Sequence, residues 1–151
     1  MPGSKRPSRS AVRQAKPSDL STVAKLIAVF TGSKPSASEI RNRFTLITKH
    51  PDQSLWVATV NKRVVGVLGF RIRHNLENVS QYGEVSIIAV DQDWRRKGIG
   101  GLLLDHAEKL ARKRKCIGLW LVSGFGREEE AHKFYDQYGF SRTGIRFVKP
   151  F

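Results

Sequence analysis

The chain has 151 residues, of which 40% are apolar, and its 27 Lys and Arg against 13 Asp and Glu give a net charge of +14. A chain of this length forms one domain and buries about two thirds of its unfolded surface. No stretch approaches the ~20 apolar residues of a membrane span, and the basic N-terminus lacks the apolar core of a secretory signal, so we expect a cytoplasmic protein without a membrane anchor.

The N-terminal third of the sequence predicts a tail, a strand and two helices. Residues 1–10 are basic and almost devoid of apolar side chains, which predicts a disordered tail in front of a single domain over residues 11–151. A first strand is expected over 12–15. Helix-start signals at Pro17-Ser18-Asp19 and at the capping box of residues 36–39 predict two helices, which end at Gly32 and before Pro51.

The rest of the sequence predicts strands that alternate with helices. A hairpin is expected over 55–60 and 64–72, and residues 85–90 are apolar on both faces, as in a buried central strand. The further elements expected are a polar loop over 74–81, a strand over 118–122, a helix over 127–138 and a last strand over 140–148. This order predicts an α/β protein with a mixed sheet and helices on its faces.

A basic, glycine-rich turn follows the central strand and opens a helix. Gly98, Gly100 and Gly101 lack the Cβ atoms that would keep an anion away from the backbone, and the first-turn N–H groups of a helix are unpaired. A Gly-x-Gly pair alone is weak evidence, but its place between a buried strand and an amphipathic helix favours a phosphate site. Neither Gly-x-Gly-x-x-Gly nor Gly-Lys-Ser/Thr is present, so we expect neither a Rossmann-bound dinucleotide nor ATP on a Walker loop.

Two motifs in the right order resemble a known family. Arg95-x-x-Gly98-x-Gly100 is similar to the acetyl-CoA signature of the GNAT superfamily of N-acetyltransferases, and Ala131-x-x-x-Tyr135-x-x-x-Gly139-Phe140 resembles the closing pattern of that family. The resemblance covers residues 11–149. It implies the GNAT fold, in which helices flank a central mixed β-sheet, and it implies acetyl-CoA as a co-substrate.

The resemblance also implies where that co-substrate binds. In the GNAT fold the strand before the glycine turn and the strand after its helix splay apart, and the pantetheine arm inserts between them while the turn holds the pyrophosphate. Many members carry a pantetheine-contacting asparagine where this chain has Glu128, preceded by Gly124-Phe125-Gly126-Arg127. The implied cofactor-binding residues are Ile88, Ala89, Val90, Arg95, Arg96, Lys97, Gly98, Ile99, Gly100 and Gly101.

Two side chains are candidates for the chemistry of transfer. An alkylamine is mostly protonated at neutral pH, so it must lose a proton before it attacks a thioester, and the leaving thiolate gains from a nearby acid. By resemblance, Glu84 stands at the position of the catalytic base and Tyr135 at that of the acid. The structural alternatives are a Glu84 that lies in solvent at the strand end or pairs with an arginine such as Arg71 or Arg73, and a Tyr135 that only packs in the core.

The histidines, the cysteine and the basic cluster give weaker indications of function. The four histidines have no metal-ligand spacing, so no metal is expected, and His106 and His132 are interpreted as helix-surface residues. The lone cysteine, Cys116, is interpreted as a buried thiol. The basic cluster over 109–115 together with the tail suits a phosphorylated cofactor, but it leaves open a function of another class, a nucleic-acid-binding module.

The sequence therefore predicts an N-acetyltransferase that transfers acetyl from acetyl-CoA to a primary amine by direct attack in a ternary complex. We expect the acceptor to be a small molecule, and a protein or peptide amine is the alternative. A homodimer is left open.

Overall fold

A five-stranded sheet in the order β1-β2-β3-β4-β5 organises the chain. The computed structural model describes residues 5–123 and 128–151. The first four strands are antiparallel neighbours, and β5 runs parallel to β4. The strands are β1 (Ser10–Gln14), β2 (Gln53–Val60), β3 (Arg63–Asn75), β4 (Ser80–Val90) and β5 (Leu119–Trp120).

Four helices in the described residues complete the fold, and local signals set their ends. Gly32 ends the first helix in the left-handed conformation with φ 74°. Ser36 caps the second, since its hydroxyl accepts from the Glu39 amide while the Glu39 carboxylate accepts from the Ser36 amide. The helices are α1 (Leu20–Thr31), α2 (Ala37–Lys49), α3 (Ile99–Lys113) and α4 (Glu128–Gln137).

The helices cover both faces of the sheet. On one face α1 and α2 pack with residues such as Val57, Val67 and Ala89. On the other face α3 packs with alternate positions such as Leu68, and the aromatic side chains of α4 lie against the same cluster. Because the strands are buried on both faces, their sequences are apolar runs. The predicted mixed sheet flanked by helices is confirmed. None of the helices in the described part of the chain is long and apolar enough to cross a membrane.

Three elements differ from the sequence prediction. The loop predicted over 74–81 is shorter, because β3 and β4 continue as a ladder that pairs His74 with Gln81 and Asn75 with Ser80. Strand β5 has only two residues, and the strand predicted over 140–148 is not formed. Its alternation is typical of a strand, but a strand also needs a hydrogen-bonding neighbour, and this chain segment has none among the described residues.

The predicted tail and domain boundary stay a prediction. Of residues 1–10, the structure describes 5–10, in which Ser10 already begins β1 and the Arg6 guanidinium forms an ion pair with Asp105 of α3.

Two irregularities of β4 shape the functional region. A bulge interrupts its pairing with β3, where Gly69 pairs with Ile87 and Phe70 with Val85, so that Ser86 is left over. Strand β5 pairs with β4 only at Gly83 and Glu84. From residue 85 to residue 90, β4 is therefore paired on its β3 side alone within the described residues, and its other edge is open.

Candidate active site

The glycine-rich turn forms a sharp transition from β4 to α3. The Asp91 side chain accepts a hydrogen bond of 2.9 Å from the Asp93 amide and so caps a short 3₁₀ turn. Arg96 and Gly98 then take positive φ values of 57° and 79°, and Gly98 is the N-cap of α3. A residue with a side chain is strained at such a φ, so the glycine allows the turn that aims the first amides of α3 outward.

An open cleft of about 1330 Å³ lies above this turn. Its walls are the end of β4, the turn itself, the C-terminal half of α1 and nearly the whole length of α4. The structure thus brings together most of the residues predicted from the sequence. The predicted residues that line the cleft are Ile88, Ala89, Val90, Arg95, Arg96, Gly98, Gly100, Gly101 and Tyr135.

Three predicted residues take other places. The Lys97 ammonium stands 4.9 Å from the centre of the Trp94 ring, beside the cleft. Ile99 is 1% exposed, and its side chain packs in the core. Glu84 is not among the residues that line the cleft.

The charge around the turn fits a polyphosphate. The N-terminal end of α3 carries the positive pole of the helix dipole, and Arg95, Arg96 and Lys97 precede it directly. The opposite wall, on α4, includes the carboxylates of Glu129, Glu130 and Asp136. The same side also includes the cations Lys133 and Arg142, so the part of the cleft that carries basic residues without carboxylates is the turn.

The open edge of β4 fits an amide-bearing chain. Ile88, Ala89 and Val90 line the cleft on the side where β5 has separated from β4. Backbone N–H and C=O groups on such an edge need partners, and an extended ligand with amide groups can supply them as another strand would. The turn and the edge together fit a diphosphate attached to a linear, amide-containing arm.

Helix α4 packs closely on the glycines, and this contact was missed in the sequence. A Cβ built on Gly100 would lie 3.0 Å from Cζ of Phe134, and one built on Gly101 would lie 1.7 Å from the Tyr138 hydroxyl oxygen. Phe134 and Tyr138 are four residues apart and share one helix face, which is the signal that could have indicated the contact. These glycines therefore make room for aromatic side chains of α4, and the anion site at the same glycines stays a prediction.

Tyr135 lies in an aromatic cluster on the same helix. Its ring centre is 5.3 Å from that of Phe134 and 5.7 Å from that of Phe140. Burial raises the pKa of the Tyr135 phenol above its ordinary value, because the charged phenolate loses hydration. A phenol at this position stays protonated and can donate a proton into the cleft.

Glu84 forms a buried ion pair. It is only 6% exposed, and the Arg71 guanidinium donates from Nε to Oε2 at 2.5 Å and from Nη2 to Oε1 at 2.9 Å. Both carboxylate oxygens are thus held by the neighbouring strand, as the structural alternative anticipated. The ladder also places Trp120 of β5 beside Glu84, so the pair sits where β4 and β5 begin to separate.

The structure corrects the interpretation of His106 as a surface residue. Its ring packs 4.3 Å from the Trp56 ring, and its Nε2 is buried without a hydrogen-bond partner among the described residues. Burial lowers the pKa of this imidazole. The Cys116 thiol is half-buried, and burial raises its pKa. No group of His, Cys, Asp and Glu in the described part of the chain could hold a metal ion.

The segment Gly124-Phe125-Gly126-Arg127, in which the sequence departs from the family pattern and the predicted helix begins, lies outside the described residues. Helix α4 is described from Glu128 onward.

Comparison with known proteins shows the family of this chain. The model of the acetyltransferase (GNAT) family matches residues 22–140. The aminoalkylphosphonate N-acetyltransferase of Salmonella typhimurium is 27% identical over 138 residues, which are 91% of this chain and 89% of that protein.

Solved structures share the fold over nearly the whole chain. A putative acetyltransferase from Agrobacterium tumefaciens is 26% identical with a TM-score of 0.80, and the match covers 92% of this chain and 99% of that one. The aminoglycoside N-acetyltransferase AAC(6')-Iy in complex with CoA is 17% identical with a TM-score of 0.83, and 96% of each chain is covered. The chain therefore belongs to the GNAT family and is an acetyl-CoA-dependent N-acetyltransferase.

Proposed function

We propose that the cleft binds acetyl-CoA along the glycine turn and the open edge of β4, and that the acetyl group passes directly to a small primary amine. The observation that carries the proposal is the cleft itself, in which the Gly98 turn, the edge at Ile88–Val90 and the Tyr135 phenol share one space. The fold shared with an aminoglycoside acetyltransferase solved with CoA supports it.

The turn holds the diphosphate in this proposal. The amides of Gly98, Ile99, Gly100 and Gly101 donate to its oxygens, and Arg95, Arg96 and Lys97 add charge on the solvent side. The backbone of Ile88, Ala89 and Val90 pairs with the arm. Acetyl-CoA supplies an activated acetyl group as a thioester, and the protein orients that group toward the amine.

Tyr135 is proposed as the acid. In the transfer, the bond between the amine nitrogen and the acetyl carbon forms while the carbon–sulfur bond breaks, so the sulfur leaves with an electron pair and needs a proton. The phenol of Tyr135 lines the cleft and is protonated at neutral pH, because burial raises its pKa. It can therefore donate to the sulfur.

Glu84 is proposed as the base that takes the proton from the amine. The bidentate contact with Arg71 fixes the carboxylate at the point where β4 and β5 separate, but it also occupies both oxygens. Proton transfer then requires that one oxygen be shared with the amine or with an intervening water. Arg71 is a positioning residue in this scheme.

We propose an acceptor that combines the amine with an anionic group. Arg71 and Arg73 lie two residues apart on one face of β3, and the Arg73 guanidinium lies 4.4 Å from the centre of the Trp120 ring. Among the described residues no carboxylate pairs with Arg73. The similarity to an enzyme named for aminoalkylphosphonates supports a small acceptor of this class rather than a peptide.

A screen of amines tests the proposal, with the release of free CoA thiol as the signal. We expect 2-aminoethylphosphonate to be acetylated with a kcat/KM at least about tenfold above that of propylamine and above that of a peptide with a free N-terminus. In Arg73→Gln the preference for the phosphonate should disappear, while the rate with propylamine stays the same. Equal kcat/KM values for the two small amines would contradict the proposed preference for an anionic group. A peptide that is acetylated faster than both would contradict the proposal of a small-molecule acceptor.

A further inference from the structure

The N-terminal segment of the chain reaches α3. Before β1 begins at Ser10, the Arg6 guanidinium donates to the Asp105 carboxylate of α3 and forms an ion pair with it. Asp105 stands four residues after Gly101, so the two residues lie on one face of α3. The N-terminal segment therefore contacts the helix that begins at the glycine turn.

Tyr138 brings the C-terminal end of α4 to the same point. Its hydroxyl lies against Gly101, where an added Cβ would collide with it, and both residues line the cleft. The hydrogen bond with Asp105 raises the pKa of the Arg6 guanidinium, and the Tyr138 phenol raises it further through its charge and its own hydrogen bond. One guanidinium thus faces both α3 and α4 at the edge of the cleft.

The local sequence limits the conformational freedom of Arg6. Pro7 follows it and is half-buried, and a residue before proline is biased toward extended conformations. Two residues further on, the Arg9 carbonyl accepts a hydrogen bond of 3.4 Å from the Asn61 amide in the turn between β2 and β3. Because the segment is restricted on both counts, less entropy is lost when Arg6 binds Asp105.

We propose that Arg6 is a positioning residue for the cofactor, which holds the C-terminal end of α4 against the first turns of α3 and so keeps the cleft in the arrangement that binds acetyl-CoA. Arg6 acts through Asp105 and Tyr138 and does not touch the cofactor. This inference rests on the proposed function, in which the cleft binds acetyl-CoA. A contact that favours the binding arrangement of the free protein raises affinity without a new contact to the ligand.

Calorimetric titration with acetyl-CoA measures the effect on affinity. The Arg6 side chain is 42% exposed, and exposed ion pairs contribute little, so we expect Arg6→Gln to raise the dissociation constant about three- to fivefold. The KM for acetyl-CoA should rise to a similar extent, with kcat within about twofold of the parent. Lys5→Gln is the matched control, because it removes the same charge from a neighbour that forms no ion pair among the described residues, and it should bind like the parent.

Asp105→Asn separates this role from a direct attraction between Arg6 and the phosphates of the cofactor. If Arg6 holds α4 through Asp105, Asp105→Asn should weaken binding as Arg6→Gln does, and the double variant should bind no more weakly than either single variant. If Arg6 instead binds the phosphates, loss of the Asp105 charge should strengthen binding. That result would overturn the proposal.

Hydrogen exchange measures the attachment of α4 without the cofactor. In Arg6→Gln the amide of Tyr138, which donates to the Phe134 and Tyr135 carbonyls, should exchange faster than in the parent. The amide of Gly32 at the end of α1 should keep its rate. Parental exchange at Tyr138 in both Arg6→Gln and Asp105→Asn would overturn the proposal. A parent chain that does not bind acetyl-CoA would contradict the proposed function instead, so the two failures are distinguishable.

Discussion

The hydroxyl of Tyr138 lies directly against the backbone of Gly101, where a Cβ would come within 1.7 Å of the phenolic oxygen. Through this side chain the C-terminal end of α4 contacts the first turn of α3. The glycine is required for this close approach, whatever the cleft binds.

Gly101→Ala should therefore destabilise the protein and alter the cleft. The Tyr138 ring must swing away from α3, which we expect to cost about 1–3 kcal/mol in the free energy of unfolding and to weaken acetyl-CoA binding. Gly144→Ala is the control, because no atom lies within 4 Å of a Cβ built there. Urea unfolding checks the prediction, and equal stability of the two variants would refute the contact.

Glu84→Gln separates a catalytic from a structural role of the ion pair. If Glu84 takes the proton of the amine, turnover should fall on the order of 10²-fold and the pH optimum should rise, because at higher pH the amine deprotonates itself. Asp52→Asn is a comparison that breaks another ion pair, since Asp52 accepts from Arg114 at 2.6 Å. A Glu84→Gln variant with parental kcat and an unmoved pH profile would leave Glu84 a purely structural partner of Arg71.

Tyr135→Phe removes one hydroxyl and keeps the packed ring. We expect acetyl-CoA to bind within about twofold of the parent while single-turnover transfer slows at least about tenfold. Because burial raises the pKa of Tyr135, activity that depends on this protonated phenol should be lost at a higher pH than activity that depends on an ordinary phenol. Tyr82→Phe on β4 serves as the control. Parental single-turnover rates in Tyr135→Phe would reduce Tyr135 to a packing residue.

His106 should make stability depend on pH. Burial lowers its pKa below the ordinary 6.5, so the unfolded chain binds a proton at this imidazole at a higher pH than the folded chain does. The contribution of neutral His106 to the free energy of unfolding is therefore fully present above pH 6.5. It decreases as the pH drops toward the pKa of the folded state, and below that pKa it changes no further. In His106→Phe the denaturation midpoint should therefore depend less on pH between pH 7 and 5 than it does in the parent. An unchanged slope in His106→Phe would contradict the burial of this ring.

Local signals allowed much of the fold to be predicted. The capping box at Ser36, the C-terminal Gly32 of α1 and the glycine turn at Gly98 all act within a few residues, so their effect is visible in the sequence. Most of the predicted cofactor residues line one cleft for the same reason, since they lie on one continuous strand, turn and helix.

Features that depend on distant partners could not be predicted. The alternation of residues 140–148 predicts a strand, but its formation needs an edge that this chain does not bring to it. Arg71 and Glu84 meet across a strand ladder, and the sequence offered Arg71 and Arg73 equally as partners. The sequence predicts His106 on the surface of an amphipathic helix, whereas the Trp56 ring of β2 packs against it.

The most direct test of the central claim is an NMR titration that follows each backbone amide as CoA is added. If the turn holds the diphosphate and the edge of β4 pairs with the arm, the amides of residues 98–101 and 88–90 should shift together and saturably. The amide of Leu76, in the loop between β3 and β4 at the other end of β4, should stay in place. The account would be contradicted if the turn amides did not shift with CoA but shifted strongly when a short DNA duplex was added at physiological salt. That result would favour a nucleic-acid-binding surface.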